Sequence, residues 1–190
     1  MRITAALLLS ALAACTPAAD QPTYGDGDLP FLVLQEAPKG TVPAEDPGHK
    51  SLDQVAGDDQ TRRTILEKAG FADMYEATFI GTETGPNLEG FLLTSRAYLF
   101  KDPDAGVEAL QELVESKGTS QSFTVSPIAG RKGFTVAGKL DDGIPSGTLM
   151  VWTKGNVVMA IAAVASGTID DAYLRRIAVE VDTLEPVTYP

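Results

Sequence analysis

The 190-residue chain has one cysteine and one histidine, and this shortage excludes several kinds of site. Zinc sites use several thiolate or imidazole ligands, and a disulfide framework needs paired cysteines. A Ser-His-Asp hydrolase needs its histidine held against a nucleophile, whereas His49 lies in a segment rich in proline and glycine. We therefore expect His49 to be a solvated loop residue, and we expect no metal site and no cofactor.

Motifs for nucleophilic catalysis and phosphate binding are missing as well. The chain has neither Gly-x-Ser-x-Gly nor Gly-x-x-x-x-Gly-Lys-Ser/Thr, and no glycine triplet has dinucleotide spacing. The basic segment Gly130-Arg131-Lys132-Gly133 favours a hairpin turn over an anion site. Asp26-Gly27-Asp28 and Asp141-Asp142-Gly143 lack EF-hand spacing, so they indicate a linker and a turn. We expect no catalytic residue, although a two-carboxylate hydrolase stays open as an alternative.

Basic residues are also scarce, with 15 lysines and arginines against 26 acidic residues and a net charge of −11. Phosphate backbones would repel such a chain, and it has no polybasic segment for anionic membranes. We therefore expect no nucleic-acid partner. Hydrophobic residues make up 44% of the chain, enough to build an apolar core without disulfides.

The N-terminus has the pattern of an export signal. Arg2 precedes the apolar run from Ile3 to Ala14, which is shorter than the roughly 20 residues of a membrane-spanning helix. Its end, Leu12-Ala13-Ala14-Cys15, resembles the lipobox of bacterial lipoproteins. The resemblance implies that acyl chains such as palmitate modify Cys15. It also implies an exported protein, anchored by lipid to the cell membrane or the outer membrane.

These patterns predict three segments. Residues 1–14 are the lipoprotein signal peptide. Residues 15–30 are the lipidated N-terminus and a flexible tether, because this stretch is rich in Pro, Ala, Gly and Asp. Residues 31–190 form a single α+β domain whose compact core covers about 51–186.

Capping residues predict three helices. The first is capped by Asp58 or Asp59, the second by Asp102 with Pro103 at its first position, and the third by Thr168 or Asp170. Ser51 to Val55 is a less clear helical turn. The short apolar run Phe31–Leu34 suggests a first strand at a sheet edge, followed by a loop over residues 37–50.

Period-2 alternation and turn residues predict the remaining strands. Lys154-Gly155-Asn156 is a hairpin turn, and the apolar strand after it should lie in the middle of the sheet. The order of elements predicts an α+β fold, with a mostly antiparallel sheet of about six to seven strands and helices packed on it. The predicted strands cover residues 75–81, 90–100, 122–128, 133–140, 147–153 and 157–164.

Aromatic residues suggest where a ligand would bind. Most should lie in the core, but Trp152 is next to a hairpin turn and could border a groove with Arg96 or Tyr98. Such a groove would suit an apolar or amphipathic ligand.

Three segments resemble small exported lipoproteins of actinobacterial type. They are the strand end Tyr98-Leu99-Phe100, the helix from Asp102 to Lys117, and Trp152-Thr153-Lys154-Gly155-Asn156 before the last helix. The resemblance covers roughly 51–186 and implies a PsbP-like α/β/α sandwich with a binding or accessory role and no catalytic residue. We therefore expect a non-enzymatic, lipid-anchored extracytoplasmic domain that binds a partner protein or a small amphipathic ligand. The alternatives are a carboxylate-based envelope hydrolase and a purely structural envelope lipoprotein.

Overall fold

An antiparallel β-sheet is the central element of the structure, a computed structural model that describes residues 22–82, 91–117, 121–139, 146–165 and 170–186. The strands in these ranges are β1 (Thr41–Pro43), β2 (Gly48–Lys50), β3 (Phe71–Gly81), β4 (Leu92–Phe100), β5 (Gln121–Val125), β6 (Gly133–Lys139), β7 (Ser146–Lys154) and β8 (Val157–Val164). Their order across the sheet is β1-β3-β4-β8-β7-β6-β5, and β2 pairs with β3 beside β1. The predicted α+β class with a mostly antiparallel sheet is confirmed.

The helices begin where the sequence places capping residues. The described helices are α1 (Leu29–Leu32), α2 (Leu52–Ala56), α3 (Gln60–Lys68), α4 (Pro103–Glu115) and α5 (Asp171–Asp182). The caps of α3, α4 and α5 are Asp59, Asp102 and Asp170, and each carboxylate accepts a hydrogen bond from a backbone amide of the first turn. All three predicted helices are therefore confirmed.

Helices cover both faces of the sheet, so the molecule has three layers. On the first face, α1 and α5 pack on Leu93, Trp152 and Ile161. On the second face, α3 and α4 pack on a cluster that includes Tyr98 and Val151. Gly106 lets α4 approach β4 closely, because a Cβ there would lie 2.8 Å from Cγ of the buried Phe100 ring.

The N-terminal part of the fold differs from the prediction. Residues 29–32 form a short helix instead of a strand over Phe31–Leu34, with Pro30 in its first turn. Leu29, Leu32 and Tyr24 are buried in the first core. The prediction of a flexible tether is therefore wrong for residues 24–30, and the core begins well before residue 51. Cys15 lies outside the described residues.

Two short strands replace the predicted loop over residues 37–50. β1 and β2 each have three residues and pair with opposite halves of the long strand β3. Three residues are too few for an alternation pattern, so no local pattern indicates either strand. His49 lies on β2, and its placement in a loop was wrong.

The β7–β8 hairpin forms where it was predicted. Its turn contains Gly155, whose φ of 58° is a left-handed conformation that favours glycine. β8 lies between β4 and β7, as its apolar sequence predicted. The predicted turn at Asp141-Asp142-Gly143 lies outside the described residues.

The N-terminal segment and the end of α5 are fixed to this hairpin. The Asn156 side chain accepts from the backbone amide of Tyr24 at 2.6 Å and donates to its carbonyl at 2.8 Å. The buried ammonium of Lys154 donates to the backbone carbonyls of Asp182 and Leu184, and its Nζ lies 3.1 Å from Glu185 Oε1. Lys154 therefore satisfies carbonyls that the end of α5 leaves open.

Candidate functional site

A cavity of about 660 Å³ lies between the second face of the sheet and the helices that cover it. Its volume is in the range of small-molecule binding sites, which is about 300–1,000 Å³. The sheet provides the floor, and α2, α3 and α4 contribute to the walls. The lining residues used below are Lys50, Arg62, Glu76, Leu92, Thr94, Arg96, Tyr98, Lys117, Leu149, Ala160, Ala162 and Val164.

An ion pair lies on the cavity floor. Glu76 and Arg96 are opposite one another on β3 and β4, and Arg96 Nε donates to Glu76 Oε2 at 2.5 Å. The Arg96 side chain is 32% exposed although it belongs to an inner strand, because it borders the cavity. Burial acts to lower the pKa of Arg96, but Tyr98 and Glu76 outweigh it through charge and hydrogen bonding. The pKa is raised on balance, and the guanidinium keeps its charge.

A second cation lies beside this pair. Lys50 extends from β2, and its Nζ is 4.0 Å from Glu76 Oε1 and 3.8 Å from the more exposed Glu45. Within the lining, Lys50 and Arg96 thus share Glu76 as their anionic neighbour.

Two more cations, Arg62 of α3 and Lys117 just after α4, lie near Asp59 at the helical wall. Asp59 Oδ2 lies 3.9 Å from Arg62 Nε and 3.4 Å from Lys117 Nζ. The hydrogen bond from the Arg62 backbone amide, together with the charge and hydrogen bond of Lys117, holds the pKa of Asp59 below its usual value despite some desolvation. The cap of α3 therefore also brings these two cations together.

The cavity floor next to the charges is apolar. On β8, Ala160, Ala162 and Val164 pair with Arg96, Thr94 and Leu92 of β4. Successive side chains on one face of a strand are about 6.8 Å apart, so this floor extends about 14 Å from the Arg96 row. We call Leu92, Leu149, Ala162 and Val164 the apolar strip; all four are partly exposed.

The structure brings together two of the three predicted groove residues. Arg96 and Tyr98 line the cavity, but Trp152 belongs to the core on the opposite face and is fully buried. Trp152 pairs with Met159, which in turn pairs with Ala97. Because successive residues alternate between faces, Trp152 lies on the Ala97 side and away from Tyr98. Its indole Nε1 donates to Asp182 Oδ1 at 3.0 Å, so the predicted role for Trp152 at the groove was wrong.

The other polar residues from the sequence analysis lie outside the cavity. His49 Nδ1 is 2.5 Å from Asp73 Oδ2, and its side chain is 46% exposed. Arg131 lies 3.7 Å from Asp182, and Lys132 contacts Asp104 and Glu108. Within the described ranges, no group of three or more His, Cys, Asp or Glu residues is placed to hold a metal ion.

Lys50, Arg62, Glu76 and Lys117 are site residues that sequence reasoning missed. Glu76 and Arg96 interrupt apolar strands on the side that faces helices, and an inward charge of this kind is a detectable signal. Lys50 lies in a strand that was not predicted. Arg62 and Lys117 follow ordinary helix patterns, and their proximity depends on how α3 packs on α4.

Comparisons with known proteins provide one structural likeness. No protein-family model matches the chain, and no curated protein matches it. The chain is similar to the extracellular domain of PknH from Mycobacterium tuberculosis, with a TM-score of 0.53 and 14% sequence identity. The match covers 86% of this chain and 99% of the PknH domain. At this identity the likeness shows a shared fold. None of the helices in the described ranges has the length and apolar character needed to cross a membrane.

Proposed function

We propose that this protein is a non-catalytic, lipid-anchored extracytoplasmic domain that binds a small amphipathic ligand in the cavity. The observation that carries the proposal is the cavity lining, which places charged side chains directly beside a strip of partly exposed apolar ones. A few polar groups in a mostly apolar pocket are typical of small-molecule sites. This lining favours a small ligand over a partner protein.

The proposed location rests on two independent observations. The segment from Arg2 to Cys15 has the composition of a lipoprotein signal. The described fold is similar to an extracellular domain from an actinobacterium. Both agree with the resemblance to PsbP-like exported lipoproteins, which we retain as part of the proposal.

Binding without catalysis is favoured by the state of the cavity's carboxylate. Glu76 is paired with Arg96 and is near Lys50, and it is the acidic residue among the described residues of the lining. A glycosidase would need two carboxylates about 5 to 10 Å apart across a cleft. Glu76 therefore acts as a counterion that holds Arg96 in place.

The proposed anchor is tested by Cys15→Ser. In a bacterial host supplied with an alkyne-labelled fatty acid, the native chain should incorporate the label and Cys15→Ser should not. A native chain that stays unlabelled, or a variant that still incorporates the label, would refute lipidation at this residue.

The proposed ligand site is tested by filling it. Residues 1–15 are replaced by an ordinary cleavable signal peptide, so that the exported chain keeps every described residue and needs no detergent. Solvent extraction of the purified protein followed by mass spectrometry should identify a bound small amphiphile. Ala162→Leu should reduce its amount, because the added carbons occupy the strip.

The matched control is Ala172→Leu, which makes the same change at an exposed position of α5. Ala172→Leu should leave the bound amount unchanged. Equal losses in the two variants would refute the cavity as the site. A native protein that carries no small molecule and binds none would instead support the purely structural alternative.

A further inference from the structure

We propose that the cavity selects anionic amphiphiles, with an oxyanion head at its cations and a hydrocarbon chain along the apolar strip. This inference rests on the proposed ligand-binding function and specifies the chemical class of the ligand. The head is a phosphate or carboxylate group, and the tail is a single linear chain.

The first argument is the sign of the charge around the cavity. Lys50, Arg62, Arg96 and Lys117 line the cavity, and we call them the cationic belt. Their carboxylate neighbours are Glu76 in the lining and Glu45 and Asp59 beside it. Four cations against three carboxylates leave an excess of one positive charge here, whereas the whole chain has a net charge of −11. Low-dielectric walls concentrate the field of such a belt and attract an anion.

The second argument is hydrogen bonding. A guanidinium has five N–H donors, which is more than Glu76 and Tyr98 use. The planar fork of an arginine matches the oxygens of carboxylate and phosphate groups. Arg96 is therefore placed to bind an oxyanion while Glu76 keeps it oriented.

The third argument is the position of the strip relative to the belt. Arg96 is on the same face of β4 as Thr94 and Leu92, and these pair with Ala162 and Val164 of β8. A head group at Arg96 would place its hydrocarbon chain across these residues, where removing apolar surface from water stabilises the complex. The cationic belt can therefore bind the head of an amphiphile while the apolar strip binds its tail.

The test compares three probes on the soluble exported chain by isothermal titration calorimetry. Dodecyl phosphate has both head and tail, dodecanol has the tail, and inorganic phosphate has the head. We expect dodecyl phosphate to bind at least tenfold more tightly than either partial probe. Its affinity should also fall as sodium chloride is added, because salt screens the belt.

Each contrary result points to a different failure. Equal binding of dodecanol and dodecyl phosphate would overturn the anion preference and leave the proposed ligand site intact. Inorganic phosphate binding as tightly as dodecyl phosphate would overturn the role of the strip. If none of the probes binds, both the anion preference and the proposed function are wrong.

Variants assign the effect to the belt. The double variant Glu76→Gln with Arg96→Gln removes both charges together, so that no lone buried charge is left. We expect it to weaken dodecyl phosphate binding about tenfold and dodecanol binding clearly less. Lys117→Gln, a change at a partly exposed residue just after α4, should act in the same direction and provides a second variant if the double variant does not fold.

The control is Arg175→Gln, which removes one positive charge from α5 on the other side of the sheet, where it pairs with Asp171. Arg175→Gln should leave the affinity for dodecyl phosphate unchanged. A loss as large as that of Lys117→Gln would show a general effect of net charge and overturn the assignment to the belt.

Discussion

Tyr24 is a buried residue, and its hydroxyl group links the N-terminal segment to the C-terminal end of the fold. Its ring is 5% exposed, and its hydroxyl donates to Glu185 Oε2 at 2.8 Å. Burial raises the pKa of Tyr24, and the hydrogen bond and charge of Glu185 raise it further. The folded state therefore favours the neutral phenol more strongly than the unfolded state does.

This difference predicts a loss of stability in alkali. Below the ordinary tyrosine pKa of about 10, Tyr24 is protonated in both states and the stabilisation is fully present. As pH rises above that value, the unfolded state loses its proton first, so the free energy of unfolding decreases. Tyr24→Phe should lower the free energy of unfolding by about 1 kcal/mol at pH 7 but reduce the further loss towards pH 11.

Urea unfolding across this pH range measures both effects. Tyr75→Phe is the control, because it removes a phenol from the same core without removing the bond to Glu185. Parallel pH profiles for native chain and Tyr24→Phe would contradict the role of Tyr24.

At the residue scale, the sequence predicted part of the site. Arg96 and Tyr98 were named as possible neighbours of Trp152 at a groove, and they do lie together, because residues two positions apart on a strand share a face. Trp152 was misplaced because the sequence does not show which face of the sheet each helix covers. Arg62 and Lys117 could not be brought together from the sequence, since they are 55 positions apart and tertiary packing places both near Asp59.

Among the elements, the short helix α1 contributes most unexpectedly to the core. Leu32 is fully buried beside the first face of the sheet, while the adjacent Phe31 is 42% exposed. Leu32→Ala should lower the free energy of unfolding by about 2–5 kcal/mol, because it leaves a cavity in a packed core. Phe31→Ala, the matched neighbour, should cost clearly less.

Thermal and urea unfolding of the two variants distinguish a core helix from a flexible tether. A tether would make both substitutions nearly neutral. Two small and equal effects would therefore contradict the burial of α1.

Helices with a capping residue were predicted well, whereas short elements that depend on long-range contacts were not. Asp59, Asp102 and Asp170 fix helix starts through contacts within one turn, so the sequence placed each start to within two residues. The apolar run 31–34 is too short for its periodicity to distinguish helix from strand. β1 and β2 depend on pairing with β3, a long-range contact that no local pattern indicates.

The whole molecule has a large excess of negative charge. With a net charge of −11, repulsion among acidic residues opposes the compact state. Raising sodium chloride from about 0.01 M to about 0.15 M shortens the Debye length from about 30 Å to about 8 Å. We expect this change to raise the melting temperature by roughly 2–4 °C, equivalent to about 1 kcal/mol.

Calorimetry in the two salt concentrations checks this expectation. A variant with Glu36→Lys and Asp46→Lys, both at exposed positions, is the control, because its lower net charge should reduce the gain. An equal gain in the variant, or a melting temperature that falls with salt, would contradict repulsion as the cause.

The two hydrogen bonds between Tyr24 and Asn156 fix the N-terminal segment to the β7–β8 hairpin turn, which would be the point of attachment for a lipid anchor at Cys15. Tyr24 is nine residues after Cys15, so an acylated Cys15 would allow a reach of at most about 30 Å. The hairpin turn would then stay within about 30 Å of the bilayer surface. Val164, at the other end of β8, would lie about 24 Å along the strand from Val157. The apolar strip lies at the end of the sheet remote from this attachment point, so a ligand would bind on the side of the cavity farthest from the lipid anchor.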